Sequence, residues 1–307
     1  MSLLEFIKKN LDKYWSWYGV TRNPNINWKD IQKNPDIPWS WGGFSGNPNL
    51  TWEIINLFVE NSWDWAEISK NPCITWDIIK NNPIRPWDWN EISRNPNITP
   101  QIVFDNPDRP WDWYWLSRNP NTTWKCVSEN LSKCWDWYSL SANPSITMEI
   151  IEQNRDKPWD WKGISCNPNI TWSFISRNPG KNWDWVELSR NSGITWENVV
   201  NNPDRPWNWY WFSYNHNITW KHVVENPTRP WNWSALSLNP NIHWSIVDAN
   251  PDKPWDWSYL GWNSFGVQHG YSRERMISRT RQIKEELIAR LWSPDGWVIQ
   301  DWLANED

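Results

Sequence analysis

Tryptophan recurs in this chain at a spacing that never slips. The first Trp of a Trp-x-Trp pair falls at Trp15, Trp39, Trp63, Trp87, Trp111, Trp135, Trp159, Trp183, Trp207, Trp231 and Trp255, always 24 residues apart. The second follows from Trp17 to Trp257, and a third stands eleven residues beyond it at Trp28, Trp52, Trp76, Trp124, Trp172, Trp196, Trp220 and Trp244, with Pro100 and Met148 in its place in two units. Asn23 begins a second column that reaches Asn263 at the same interval without exception. A fixed period of this length marks a tandem array, in which each unit is one supersecondary element that buries its apolar face only against its neighbours. The mean hydropathy of −0.83 reads as polar, but that scale counts Trp as mildly polar. An indole removes about 150–250 Å² from water when buried, so 36 of them supply a core.

Each unit is punctuated by two turns, Asn-Pro-Asn and Asn-Pro-Asp, that separate two short segments. In residues 86–93, Pro86 suits a first helical turn and Asp88 opposes the helix dipole there, which predicts a helix of about two turns. In residues 75–82, Thr75 is the expected N-cap of a shorter helix, partly 3₁₀, that stops at Asn82 in a left-handed conformation before Pro83. Trp89 and Ile92 share a helical face, while Trp87 points away from Trp89. The expected fold is therefore an all-α solenoid of eleven two-helix repeats with capped ends. The alternative, a β-solenoid or propeller, conflicts with prolines that remove backbone donors in every unit and with only 11 glycines for hairpins.

Three regions follow. Residues 1–14 match the second segment of a unit and its turn, with Leu4, Phe6, Ile7 and Asn10 in register, and are expected to cap the amino end. The repeat array occupies residues 15–263. Residues 264–307 are expected to cap the carboxyl end through an amphipathic helix over residues 272–292, followed by an acidic tail with Trp297 and Trp302. With neighbours about 8–10 Å apart, an open array of this size is of order 100 Å long.

The period, paired helices and Asn-Pro turns resemble the leucine-rich-repeat-variant family, whose units alternate an α-helix with a 3₁₀-helix, and Asn95-Pro96-Asn97-Ile98-Thr99-Pro100 comes nearest to that family's turn. The Asn-Pro-Asn-Ile-Thr-Trp and Pro-Asp-x-Pro-Trp-Asp-Trp strings over residues 15–263 look like those of tryptophan-rich repeat proteins encoded by giant double-stranded DNA viruses. That likeness implies a viral protein of the host cytoplasm or virion and implies no activity.

A catalytic group has to break the repeat, and none does. His216, His222, His243 and His269 occupy unrelated repeat positions, as do Cys73, Cys126, Cys134 and Cys166, which form no C-x-x-C pair. Neither a metal nor a disulfide framework is indicated, and no cofactor is expected. The recurring Ser69, Ser93, Ser117 and Ser141 have no recurring His and read as hydroxyls bonded to nearby backbone. The invariant Asn reads as an amide ladder along the solenoid. Residues 1–12 are too short and too charged for a signal or membrane segment, so an intracellular, membrane-free protein is expected.

Two sets of residues are candidates for binding. Arg85, Arg109, Lys133, Lys157, Lys181, Arg205, Arg229 and Lys253 precede successive Pro-Trp steps (Asn182 in place of Pro after Lys181, Cys134 after Lys133) and align into a basic stripe. Each either lies on an indole face or pairs with the Asp three residues on, or else the stripe follows a single strand of nucleic acid. The net charge of −5 does not favour the last option. Among the variable positions after Trp-x-Trp, Tyr114, Trp115, Tyr210 and Trp211 have the chemistry of a protein-binding hot spot. The leading expectation is a non-catalytic scaffold for another protein, with nucleic-acid binding as the alternative.

Overall fold

The computed structural model describes residues 2–265, and the expected carboxyl-terminal helix and tail lie outside them. The protein is an all-α solenoid, with twenty-two helices and no strand among the described residues. Every unit contributes a first helix that starts at the second Trp of the pair, such as Trp89–Ser93, and the first ten contribute a second helix that starts at the third Trp or its replacement, such as Trp76–Asn81 or Pro100–Asp105. Helices this short do not persist alone in water, so capping and packing on neighbours must hold them.

Both kinds of helix begin as the residue chemistry demands, with two corrections to the expected boundaries. Thr75 accepts from the Ile78 N–H at 3.4 Å as foreseen. Asp88, expected inside the first turn, is instead the N-cap, accepting from Glu91 N–H at 3.0 Å, and the helix starts at Trp89. Pro86 and Trp87 stay outside the helix because the Trp87 indole N–H reaches back to the Asn82 carbonyl at 2.8 Å, which holds the segment extended. The second helix is α-helical, not 3₁₀. Asn82 is not left-handed but has φ −129 and ψ 57, because its side-chain amide donates to the Ile78 carbonyl at 2.8 Å and terminates the helix from there.

Between units, three contacts repeat. The invariant Asn donates its amide to carbonyls of the preceding unit: Asn167 reaches Ser141 O at 2.8 Å, Asn143 O at 3.0 Å and Ile146 O at 2.9 Å, while its own Oδ1 accepts from Asn169 N–H. The recurring Ser bridges units as well, since Ser93 Oγ donates to Trp89 O within its helix and accepts from the Asp112 N–H of the next unit. Finally, the second Trp of each pair meets the first Trp of the following pair edge to face, as in Trp65–Trp87 at 5.2 Å and 86°. Ile92, Ile98 and their equivalents fill the space between.

The elongated open array is corrected by the structure: the eleventh unit docks on the first, and the solenoid closes into a ring. Asn23 donates to Gly261 O and Asn263 O, the places that Thr21 O and Asn23 O take for Asn47. Trp257 meets Trp15 edge to face at 5.5 Å, as Trp161 meets Trp183 at 5.2 Å. The helix Leu3–Lys9 lies where the second helix of the eleventh unit belongs. Its Phe6 stacks on Trp257 at 6.0 Å and 19°, as Phe174 stacks on Trp161 at 6.3 Å and 20°, and Lys9 pairs with Asp248 as Arg177 pairs with Glu152. The half-unit at the amino end thus completes the last unit. This accounts for the decay of the pattern at Gly266-Val267-Gln268, where other units read Ile-Thr-Trp. The joint has its own adjustments: Gly261 lacks the bridging hydroxyl, the Trp262 indole donates to Ser16 Oγ at 3.2 Å, and a Cβ on Gly19 would stand 2.5 Å from the Trp262 ring.

Two substitutions test this architecture. Asn167→Ala removes the donor of three bonds between units and the acceptor of the Asn169 N–H, while Asn143 O keeps the Ile146 N–H and Ile146 O keeps the Asn169 amide, so it is expected to lower stability by about 2–4 kcal/mol, read from the urea midpoint. Phe6→Ala and Phe174→Ala remove the same ring from the same surroundings and should each cost about 3–5 kcal/mol. A near-neutral Phe6→Ala beside a costly Phe174→Ala would show that the ring is open in solution.

Candidate functional site

The closest helix packing runs between first helices of successive units. In a closed ring the elements packed closest lie nearest the axis, so the first helices form the inner wall. With about 8–10 Å between neighbours, eleven helices make a circle of about 30 Å through their axes, and deducting the helix bodies leaves an opening of order 20 Å. Curvature brings side chains two units apart into contact. Arg22 of the first unit forms an ion pair with Glu67 of the third, passing over Gly46, where any Cβ would clash with the guanidinium. Lys70 then joins Glu67 at 2.9 Å and Glu91 at 3.2 Å, and Arg94 closes on Glu91 at 3.4 Å. Burial alone would raise the Glu67 carboxyl, but Lys70 and Arg22 hold it below its ordinary value.

Tyr114, Trp115, Tyr210 and Trp211 lie on this wall. Tyr114 and Trp115 meet edge to face at 5.0 Å, and Arg94 of the preceding unit covers the Trp115 ring at 4.2 Å. Tyr210 and Trp211 repeat the arrangement at 5.1 Å, with Arg190 over Trp211 at 5.3 Å. The same Tyr-Trp-Arg stack is thus built twice, four units apart. Tyr114 is 39 % exposed and Trp115 half-buried, so the stacks present ring edges and guanidinium donors together. Their variable positions were legible in the sequence; the arginines that cover them, and the charge network through Arg22, were not, because these contacts join units.

The basic stripe lies elsewhere, at the entry to each first helix. Arg85, Arg109, Lys181, Arg205 and Arg229 sit over Trp65, Trp89, Trp161, Trp185 and Trp209, at 5.6, 5.5, 4.7, 5.3 and 5.9 Å. Lys13 takes the same seat over Trp257 at 5.7 Å, across the joint. Lys133 departs from the pattern and covers Phe104 at 5.9 Å. Lys157 and Lys253 each pair with the preceding Asp at 2.8 Å. The expected pairing with the Asp three residues on does not occur among the described residues, because those carboxylates cap helices.

The remaining sequence candidates are placed in packing and turn roles. His222 stacks on Trp196 at 5.4 Å, His243 caps a helix above Trp244, and His216 meets Tyr214 edge-on, while His269 lies outside the described residues. The four cysteines are free. Burial pushes the Cys166 thiol up to about 11, with Tyr138 at 3.5 Å, and raises the half-buried Cys73 as well. No set of three metal-ligating side chains occurs among the described residues, and no helix there is long and apolar enough to cross a membrane.

Replacing Arg205 and Arg229 by Gln is expected to cost about 0.5–1 kcal/mol each through the lost indole contacts, measured by urea unfolding. No change in stability would mean that these cations are not held by the rings.

No protein-family model, curated protein or solved structure matches this chain.

Proposed function

We propose that the protein is a non-catalytic ring scaffold that holds another protein against its inner wall. The observation that carries this reading is the duplicated Tyr-Trp-Arg stack at Tyr114, Trp115 and Arg94 and at Tyr210, Trp211 and Arg190. Tyr, Trp and Arg are the residues that concentrate binding energy at protein interfaces. A frame held by hydrogen bonds from unit to unit presents them without an ordering cost, so little affinity is spent on immobilising the surface. The likeness of the repeat strings to those of giant-virus proteins supports a partner in a host cell or in a viral particle.

The alternative reading, single-stranded nucleic acid tracking the Arg/Lys stripe, rests on regularly spaced cations beside indoles. It has less support, because six of the eight cations already cover a ring in the protein itself.

The two readings separate by affinity capture at low and high salt, with and without nuclease, using wild type beside a Trp115→Ala/Trp211→Ala variant. The scaffold reading expects a defined protein retained in both salts after nuclease and reduced at least tenfold by the variant. Capture that collapses with salt or nuclease, and is indifferent to the variant, overturns it, since phosphate contacts weaken steeply with salt.

A further inference from the structure

The fourth unit breaks the repeat at two neighbouring places. Its second helix, Pro100–Asp105, begins with Pro100 where eight units have Trp, and it carries Phe104 where the other units have a polar residue, a charge or a valine. Elsewhere the third Trp stacks with the first Trp of the unit after next, as Trp76 does with Trp111 at 5.8 Å, and also touches the second Trp of the next unit, as Trp76 does with Trp89 at 6.4 Å. The equivalent partners of Pro100 are Trp135 and Trp113, which line a small void beside it. Phe104 and Trp113 also line an adjoining cleft of about 410 Å³. Trp111 adds a third aromatic ring, Arg109 and Lys133 flank the mouth, Asn130 contributes an amide, and no carboxylate lines the cleft.

We propose that this cleft binds a flat aromatic molecule carrying a carboxylate or a phosphate. Three rings beside a missing indole offer stacking surface for one more ring. The two cations match a single anionic group attached to it, and Lys133 is the stripe member that has left its usual indole seat for Phe104. A volume of this size falls within the range of small-ligand pockets. The site is independent of the inner wall and of whatever protein binds there.

Titration of the full chain with indole-3-acetate and with adenosine 5′-monophosphate, followed by ligand-observed NMR, tests the assignment and tells the carboxylate source from the phosphate source. At least one of them should bind saturably, with a Kd of about 1 mM or tighter. Arg109→Gln/Lys133→Gln should weaken it by about tenfold or more while leaving neutral indole unaffected. Phe104→Ser installs the residue that Ser128 and Ser176 place at this repeat position, so the fold is kept, and it should weaken the anionic probe and indole alike by removing a ring from the cleft wall. Absence of saturable binding by both probes, or binding unchanged in both variants, overturns the proposal.

Discussion

The buried asparagine amide is the interaction on which the rest of this molecule depends. A carboxamide carries two donors and an acceptor on one short side chain, so a single residue satisfies turn carbonyls of the preceding unit and an N–H of its own turn together. Asn143 does this for Ser117 O and Asn119 O and accepts from Ser145 N–H. Asp in its place would accept only, and Gln would overshoot the turn. Because the donor belongs to one unit and the acceptors to the unit before, each bond sets the offset between units and permits no slip. The series runs without a gap from Asn23 on Asn263 O round to Asn263 on Asn239 O.

The indoles act on the same offset from the other side. The edge-to-face pairs need one ring held rigidly, and the indole N–H of the first Trp, bonded to a carbonyl five residues back, provides that rigidity, as in Trp159 to Asn154 O at 2.8 Å. The side-chain hydrogen bond and the aromatic contact therefore serve one geometry. Closure follows from repetition: a full circle shared among eleven units is about 33° each, and the small rotation between units accumulates until the ends meet. Closing the ring covers the apolar face of the first unit, and Leu3–Lys9 takes the place of a second helix beside the eleventh unit.

The sites sit where the frame stops constraining the sequence. On the inner wall, units two apart converge, so residues such as Arg22 and Glu67 meet across a glycine in the unit between them. At the entry to each first helix, most of the cations are absorbed by indoles, while in the fourth unit, which departs from the repeat at Pro100 and Phe104, Lys133 lies on Phe104 and a cleft opens beside it. Departures from the repeat were visible as letters in the sequence. What they open onto depends on neighbours 13 and 35 residues away, which come together only in the packed ring.

The sequence by itself determined the unit: its period, its two helices, the Thr caps and the buried Asn ladder are all legible at Thr75, Asn95 and their equivalents, because turn chemistry and N-capping act within a few residues and the period carries them to every copy. It offered indole faces as one of several seats for the cations, and the packed structure selects that seat for Arg85 and Arg205. Closure, the inward placement of the first helices and the role of residues 3–9 were decided only by the tertiary structure. The angle between units is a small sum over many contacts that no single residue encodes, and eleven such angles must add before Phe6 can reach Trp257.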